Sequence, residues 1–113
     1  MADCLFCAIV AGDIPATKVA ETDRVLAFRD INPQAPTHVL VIPREHYPNA
    51  AALAAADSGL LGDIVAEAHS IAQAEGIDDG YRIVFNTGAG AGQTVWHVHA
   101  HLLGGRSLTW PPG

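Results

Sequence analysis

Three histidines, His97, His99 and His101, occupy alternate positions in the run WHVHAHLL, separated by Val98 and Ala100 and followed by Leu102. On an extended chain, residues i, i+2 and i+4 project from one face, so the three imidazoles share a side and the apolar residues share the other. Such a row has three readings. It is a solvated strand face, a ligand set for zinc or iron, or a catalytic group in which one neutral imidazole attacks while its neighbours orient it and offset negative charge. Strict alternation of three identical side chains counts against the first. Spacing alone leaves the other two open.

A second group of possible chemistry lies at the start, where Cys4 and Cys7 form C-x-x-C. That spacing suits zinc if two further ligands come from elsewhere, and otherwise reads as two buried thiols. A redox pair is the weaker reading, since no strand leading into a helix precedes CLFC. The run Gly88-Ala89-Gly90-Ala91-Gly92 lacks the Gly-Lys-Ser/Thr of a Walker loop and the Rossmann spacing into a helix. It reads as a hairpin connection whose amides are able to approach phosphate oxygens closely.

The elements that must position these residues follow from pattern. Residues 4–11 form a short helix stopped at Gly12 and Ile14-Pro15. Lys18–Glu21 and Arg24–Asp30 are strands around the turn at Thr22-Asp23, and Asn32 to Pro36 is a loop because each proline disfavours helix before it. His38–Ile42 is β-branched and almost wholly apolar, as in a central strand, and ends at Pro43. A long helix begins at an Asp57 or Ser58 cap, buries Leu60, Leu61, Ile64, Val65, Ala68, Ile71 and Ala72, and stops at Gly76. Tyr81–Asn86 and Val95–Leu103 complete the strands, and SLTWPPG is irregular. His69 falls on the long helix with no histidine at helical spacing and reads as surface. The sum is an α+β fold: a mainly antiparallel sheet with one long helix and a short N-terminal helix.

Bulk properties limit the partners. The 113 residues suffice for a single domain, 1–113, with a core that needs no disulfides. Twelve acids against six bases give a formal charge of -6, with no basic run, which argues against nucleic acid or anionic membrane as partner. The start carries Asp3, no basic segment and too short an apolar run for a signal peptide, so the expected location is cytoplasmic.

The segment HVHAHLL matches the alternating signature of the histidine triad family. FRDINPQAPTHVLVIPREH, the loop from Asn86 to Gln93, and the closing LLGGR and WPPG resemble its HINT branch, the histidine triad nucleotide-binding proteins. The resemblance runs in order from Cys4 to Gly113. It implies a HIT-like fold, a homodimer, and hydrolysis of purine nucleoside 5′-phosphoramidates or related nucleotidyl conjugates through a nucleotidyl-histidine intermediate. Carried over by position, it makes His99 the nucleophile, places His101 at the phosphate, and adds His38 and His97 to the catalytic cluster. It assigns Asp30 to the ribose hydroxyls, Phe28 and Ile31 to the base pocket, and Asn86, Gly92, Gln93 and Thr94 to the phosphate side. Trp110, by itself a packed tail anchor, falls near the active site and a dimer contact. Members with an N-terminal C-x-x-C suggest a structural zinc held by Cys4, Cys7, His46 and His97, and no organic cofactor is implied. Two rivals remain at this level: a nucleotide-binding adaptor with vestigial hydrolysis, and a metal-dependent enzyme using the three histidines as ligands. The chain departs from eukaryotic members at Trp96 and Ala91.

Overall fold

The structure, a computed structural model, describes residues 4–113; Asp3 and the two residues before it lie outside the described part. Helix α1, Leu5–Ala11, is capped by the Cys4 side chain, whose Sγ accepts from the Cys7 backbone N–H, and ends at Gly12 in the left-handed conformation. Strands β1 (Lys18–Glu21), β2 (Val25–Arg29) and β3 (Thr37–Pro43) follow, then helices α2 (Ala50–Ala56) and α3 (Ser58–Ala74), then β4 (Tyr81–Val84) and β5 (Ala100–Gly104). The five strands form one antiparallel sheet in the order β1-β2-β3-β5-β4. The α+β class is as the pattern predicts.

Both faces of the central strands are covered, which explains the unbroken apolar run HVLVI. Val25, Ala27, Val39, Val41, Ala100 and Leu102 pack beneath α2 and α3, against Leu53, Leu60, Ile64, Ala68 and Ile71. Leu26, Phe28, Leu40 and Ile42 project from the other side and meet Phe6 and Ile9 of α1. By the same alternation, His38 of β3 and His101 of β5 emerge on the α1 side; His101 pairs across the strands with Leu40, two positions along β3 from His38.

Three elements differ from the sequence expectation. The fold has an additional helix, α2, because Asp57 breaks the alanine-rich run with extended dihedrals (φ -157°, ψ 82°) and caps the next helix through Oδ1, which accepts from the Leu60 N–H. Strand β4 ends at Val84, short of Asn86. The last strand begins only at Ala100, so residues 95–99 are not part of the sheet; the Val98 N–H instead donates to the Tyr47 carbonyl at 2.7 Å. That departure from extended pairing turns His97 away from its two neighbours.

Candidate active site

A cleft of about 680 Å³ opens between α1 and the α1-facing side of the sheet. Its apolar wall includes Phe6, Ile9, Phe28 and Leu40, and its polar end carries Asp30, Thr94, His99 and His101. Phe6 stands edge-on to Phe28 (ring centroids 5.4 Å apart) and to His99 (5.0 Å). This wall suits a flat ring, and the polar end suits an anion or a hydroxylated group.

Hydrogen-bond donors and acceptors fix how each imidazole is protonated. A carbonyl oxygen only accepts, so the 2.8 Å contact from His99 Nδ1 to the His97 carbonyl places the proton on Nδ1 and leaves a lone pair on Nε2. A backbone N–H only donates, so the Gln34 N–H, 3.0 Å from His38 Nδ1, makes that nitrogen the acceptor and puts the His38 proton on Nε2. His38 Nε2 then donates to His101 Nδ1 at 2.9 Å, with Asp30 Oδ2 at 3.4 Å on its flank. His101 therefore carries its own proton on Nε2. The cluster offers one nucleophilic nitrogen on His99 beside one donor on His101, with their rings 4.9 Å apart.

All of these rings are held neutral. Burial pushes the pKa of His38, His97 and His99 below the ordinary histidine value. The largest shift is at His101, whose pKa is lowered to about 4 by burial and then by repulsion from His99 and His38.

His97 faces a different group. Its Nε2–H donates to the Pro43 carbonyl at 2.8 Å, so its Nδ1 lone pair points at the N-terminal cysteines. Nδ1 lies 3.4 Å from Cys4 Sγ, 3.6 Å from Cys7 Sγ and 3.3 Å from His46 Nδ1, and Cys7 Sγ lies 3.4 Å from His46 Nδ1. A tetrahedral zinc with ordinary Zn–S and Zn–N bonds has N···N edges of about 3.3 Å and S···N edges of about 3.6 Å. The four atoms have the spacing, the soft and borderline donor chemistry, and on His97 the tautomer that such an ion requires.

The HIT domain model matches residues 11–108. The chain belongs to the HIT family. It is 55% identical to a HIT family hydrolase from Legionella pneumophila of known crystal structure, with a TM-score of 0.94 and coverage of 98% of this chain and 100% of that one. An uncharacterized HIT-like protein of Synechococcus elongatus is 51% identical across 98% of this chain and 97% of its own. A maize (Zea mays) protein named a 14 kDa zinc-binding protein is 48% identical across 96% of this chain and 87% of its own. The fold is thus the HIT hydrolase fold, and the Cys/His cluster is a candidate metal site in a chain with zinc-binding HIT relatives.

Against this HIT framework, the residues singled out from sequence separate into groups. Phe28, Asp30, Ile31, Thr94, His99 and His101 line the cleft, and His38 stands behind His101. Cys4, Cys7, His46 and His97 come together in the second cluster. Asn86, Gly92 and Gln93 are not among the cleft-lining residues. Gln93 is a buried brace: its side-chain oxygen accepts from the Gly88 N–H, and its amide donates to the carbonyls of Pro48 and Val95. Trp110 is 82% exposed in the single chain. His69 is exposed and pairs with the Tyr81 hydroxyl at 2.7 Å.

The idea of one ion held by His97, His99 and His101 does not fit, because His99 and His97 aim their free lone pairs at different groups. A trio of Asp30, His38 and His101 is close enough to ligate, yet the proton that Gln34 forces onto His38 Nε2 occupies the ligating position. Sequence reasoning missed Phe6, whose apolar position inside C-L-F-C was the available signal. It also missed Gln34, which acts through its backbone and leaves no side-chain signal.

Proposed function

We propose that this chain hydrolyses purine nucleoside 5′-phosphoramidates, or related nucleotidyl conjugates, through a covalent nucleotidyl-His99 intermediate. The observation that carries the reading is the His99 Nδ1–H bond to the His97 carbonyl, which commits the other ring nitrogen to the cleft as a neutral nucleophile. His99 Nε2 attacks the α-phosphorus, the substrate P–N bond breaks, and a new P–N bond to the imidazole forms. Exchange of one P–N bond for another is nearly even in energy, so the enzyme mainly positions the group and offsets its charge. His101 Nε2–H donates to a phosphate oxygen, and the departing amine takes its proton from solvent in the open cleft. Water then cleaves the intermediate to release a nucleoside monophosphate and restore His99.

Phe6, Phe28 and Ile31 form the base side of the cleft, and Asp30 accepts from the ribose hydroxyls, a preference for ribonucleotides. Cys4, Cys7, His46 and His97 hold a structural zinc, whose bonding ties α1 to the segment before β5. The active assembly is a homodimer: among the described residues no strand pairs with the outer edge of β4, and a second copy covers the exposed Trp110.

The test is turnover of an adenosine phosphoramidate by wild type and His99→Asn, with and without chelator. Activity confined to the wild type supports the reading. An inert wild type removes it. Loss of activity on chelation without loss of fold transfers the chemistry to a metal.

A further inference from the structure

The C-terminal run Leu102-Leu103-Gly104-Gly105-Arg106 has no part in the chemistry described so far. Its last two residues press on the loop before β3. Arg106 Nε–H donates to the Gln34 carbonyl at 2.9 Å, and its Nη1 donates to the Ser107 carbonyl at 2.9 Å. Gly105, in the left-handed region at φ +89°, lies so near Pro36 that a Cβ would meet the proline Cβ at 2.9 Å. Within the loop, the Gln34 side-chain amide donates to the Asn32 carbonyl, and the Asn32 N–H donates to Asp30 Oδ1 at 2.8 Å. The loop is thereby fixed at both ends, with the Gln34 N–H aimed at His38 Nδ1.

We infer that Arg106 and Gly105 are positioning residues that set the proton arrangement of the catalytic cluster through Gln34, whose carbonyl Arg106 holds and whose N–H, in the preceding peptide, faces His38; this rests on the proposed role of His101 at the phosphate. Two groups favour the His38 proton on Nε2: the Gln34 N–H, which occupies Nδ1, and the Asp30 carboxylate, whose Oδ2 lies 3.4 Å from Nε2; of the two, only the Gln34 N–H blocks a proton on Nδ1. Were that N–H displaced, the neutral His38 would be free to take the opposite tautomer and accept at Nε2 from His101 Nδ1–H. His101 would then present a lone pair at Nε2 where an anionic phosphate oxygen, itself only an acceptor, requires a donor. The bond sequence Arg106 to Gln34 to His38 to His101 thus converts one exposed guanidinium contact into the polarity of the nitrogen that meets substrate. No atom of Arg106 need touch the substrate.

The experiment compares wild type, Arg106→Ala, Arg106→Lys and Gly105→Ala by long-range ¹H–¹⁵N correlation of the histidine side chains and by kinetics with an adenosine phosphoramidate across pH. In wild type, His38 and His101 are expected in the Nε2–H form. Arg106→Ala and Gly105→Ala are expected to move a measurable fraction of both rings to the Nδ1–H form. Their kcat/KM should fall about tenfold, short of the roughly 10²–10³-fold that outright loss of a charge-stabilising donor costs. Their pH–rate profiles should shift toward acid, where protonation restores a donor on His101, and Arg106→Lys should recover part of the loss. Wild-type His38 protonated on Nδ1 would overturn the inference, as would unchanged tautomers and pH profile in both disrupted variants. If one variant does not fold, the other decides. A wild type that shows the expected tautomers but hydrolyses nothing sinks the proposed function while leaving the proton arrangement standing.

Discussion

The His97 backbone and the His99 side chain are joined by one hydrogen bond of 2.8 Å, and the His97 ring faces the Cys4 and Cys7 sulfurs at 3.4 and 3.6 Å. A single residue therefore orients the proposed nucleophile with its main chain and joins the Cys4–Cys7–His46 cluster with its side chain. Phe6, from the helix that the cysteines anchor, stands edge-on to both rings, 6.0 Å from His97 and 5.0 Å from His99.

If the second cluster holds zinc, the purified protein should contain about one zinc per chain by metal analysis. Cys4→Ser and Cys7→Ser should each lose most of it and lower the melting temperature, since an ion bound only by the folded state stabilises by mass action. His46 is exposed and on the rim of the site, so His46→Ala should retain more metal than either serine variant. Equal zinc content in Cys4→Ser and wild type would contradict the assignment.

The titration of His101 has a definite sign. Its folded pKa, about 4, lies below the ordinary histidine value near 6.5, so between those limits the unfolded chain binds the proton and the folded chain does not. Stability from this group is full above about pH 6.5 and is lost as pH falls toward 4. Replacing His101 with Gln should flatten the acid side of the stability curve, measured by denaturant unfolding at several pH values. An unchanged slope would mean that His101 titrates normally in the folded protein.

The packing role of Phe28 and its proposed role at the base side of the cleft are separable. It is 4% exposed and packs with Phe6, Ile9 and Leu40, so Phe28→Ala should cost about 3–5 kcal/mol of stability. Phe28→Leu keeps most of the core volume and should cost about 1 kcal/mol, while weakening the wall on which a base rests. The expected signature in Phe28→Leu is a KM raised severalfold with kcat little changed. A change confined to kcat would place the base elsewhere.

Assembly is tested by sedimentation. A homodimer predicts twice the chain mass at micromolar concentration and quenched Trp110 fluorescence exposure relative to a dissociated form. A monomer at all concentrations would rule it out and leave the β4 edge open in solution.

Alternation in the sequence correctly set His101 on the α1-facing side of the sheet, but the common face it implied for all three histidines fails at His97, whose ring turns to Cys4 and Cys7. Where the three divide was carried by the resemblance and not by their spacing, because residues 95–99 leave the sheet and alternation alone describes a regular strand. The cysteine pair was visible as a ligand motif, but its meeting with His46 and His97 depends on contacts 39 and 93 residues apart in the chain. Helix α2 was hidden in the run AALAAADSGLL, where helix propensity is continuous and only the backbone at Asp57 marks the break. Gln34 left no trace at all, since any residue but proline supplies the same N–H.

The proposed covalent bond between His99 and the nucleotidyl group can be trapped directly. Wild type mixed with an adenosine phosphoramidate and quenched within the first turnover should carry an adenylyl group, located by peptide mass analysis on His99 and absent from His99→Asn. An adduct on another histidine, or steady hydrolysis by His99→Asn at the wild-type rate, would contradict it.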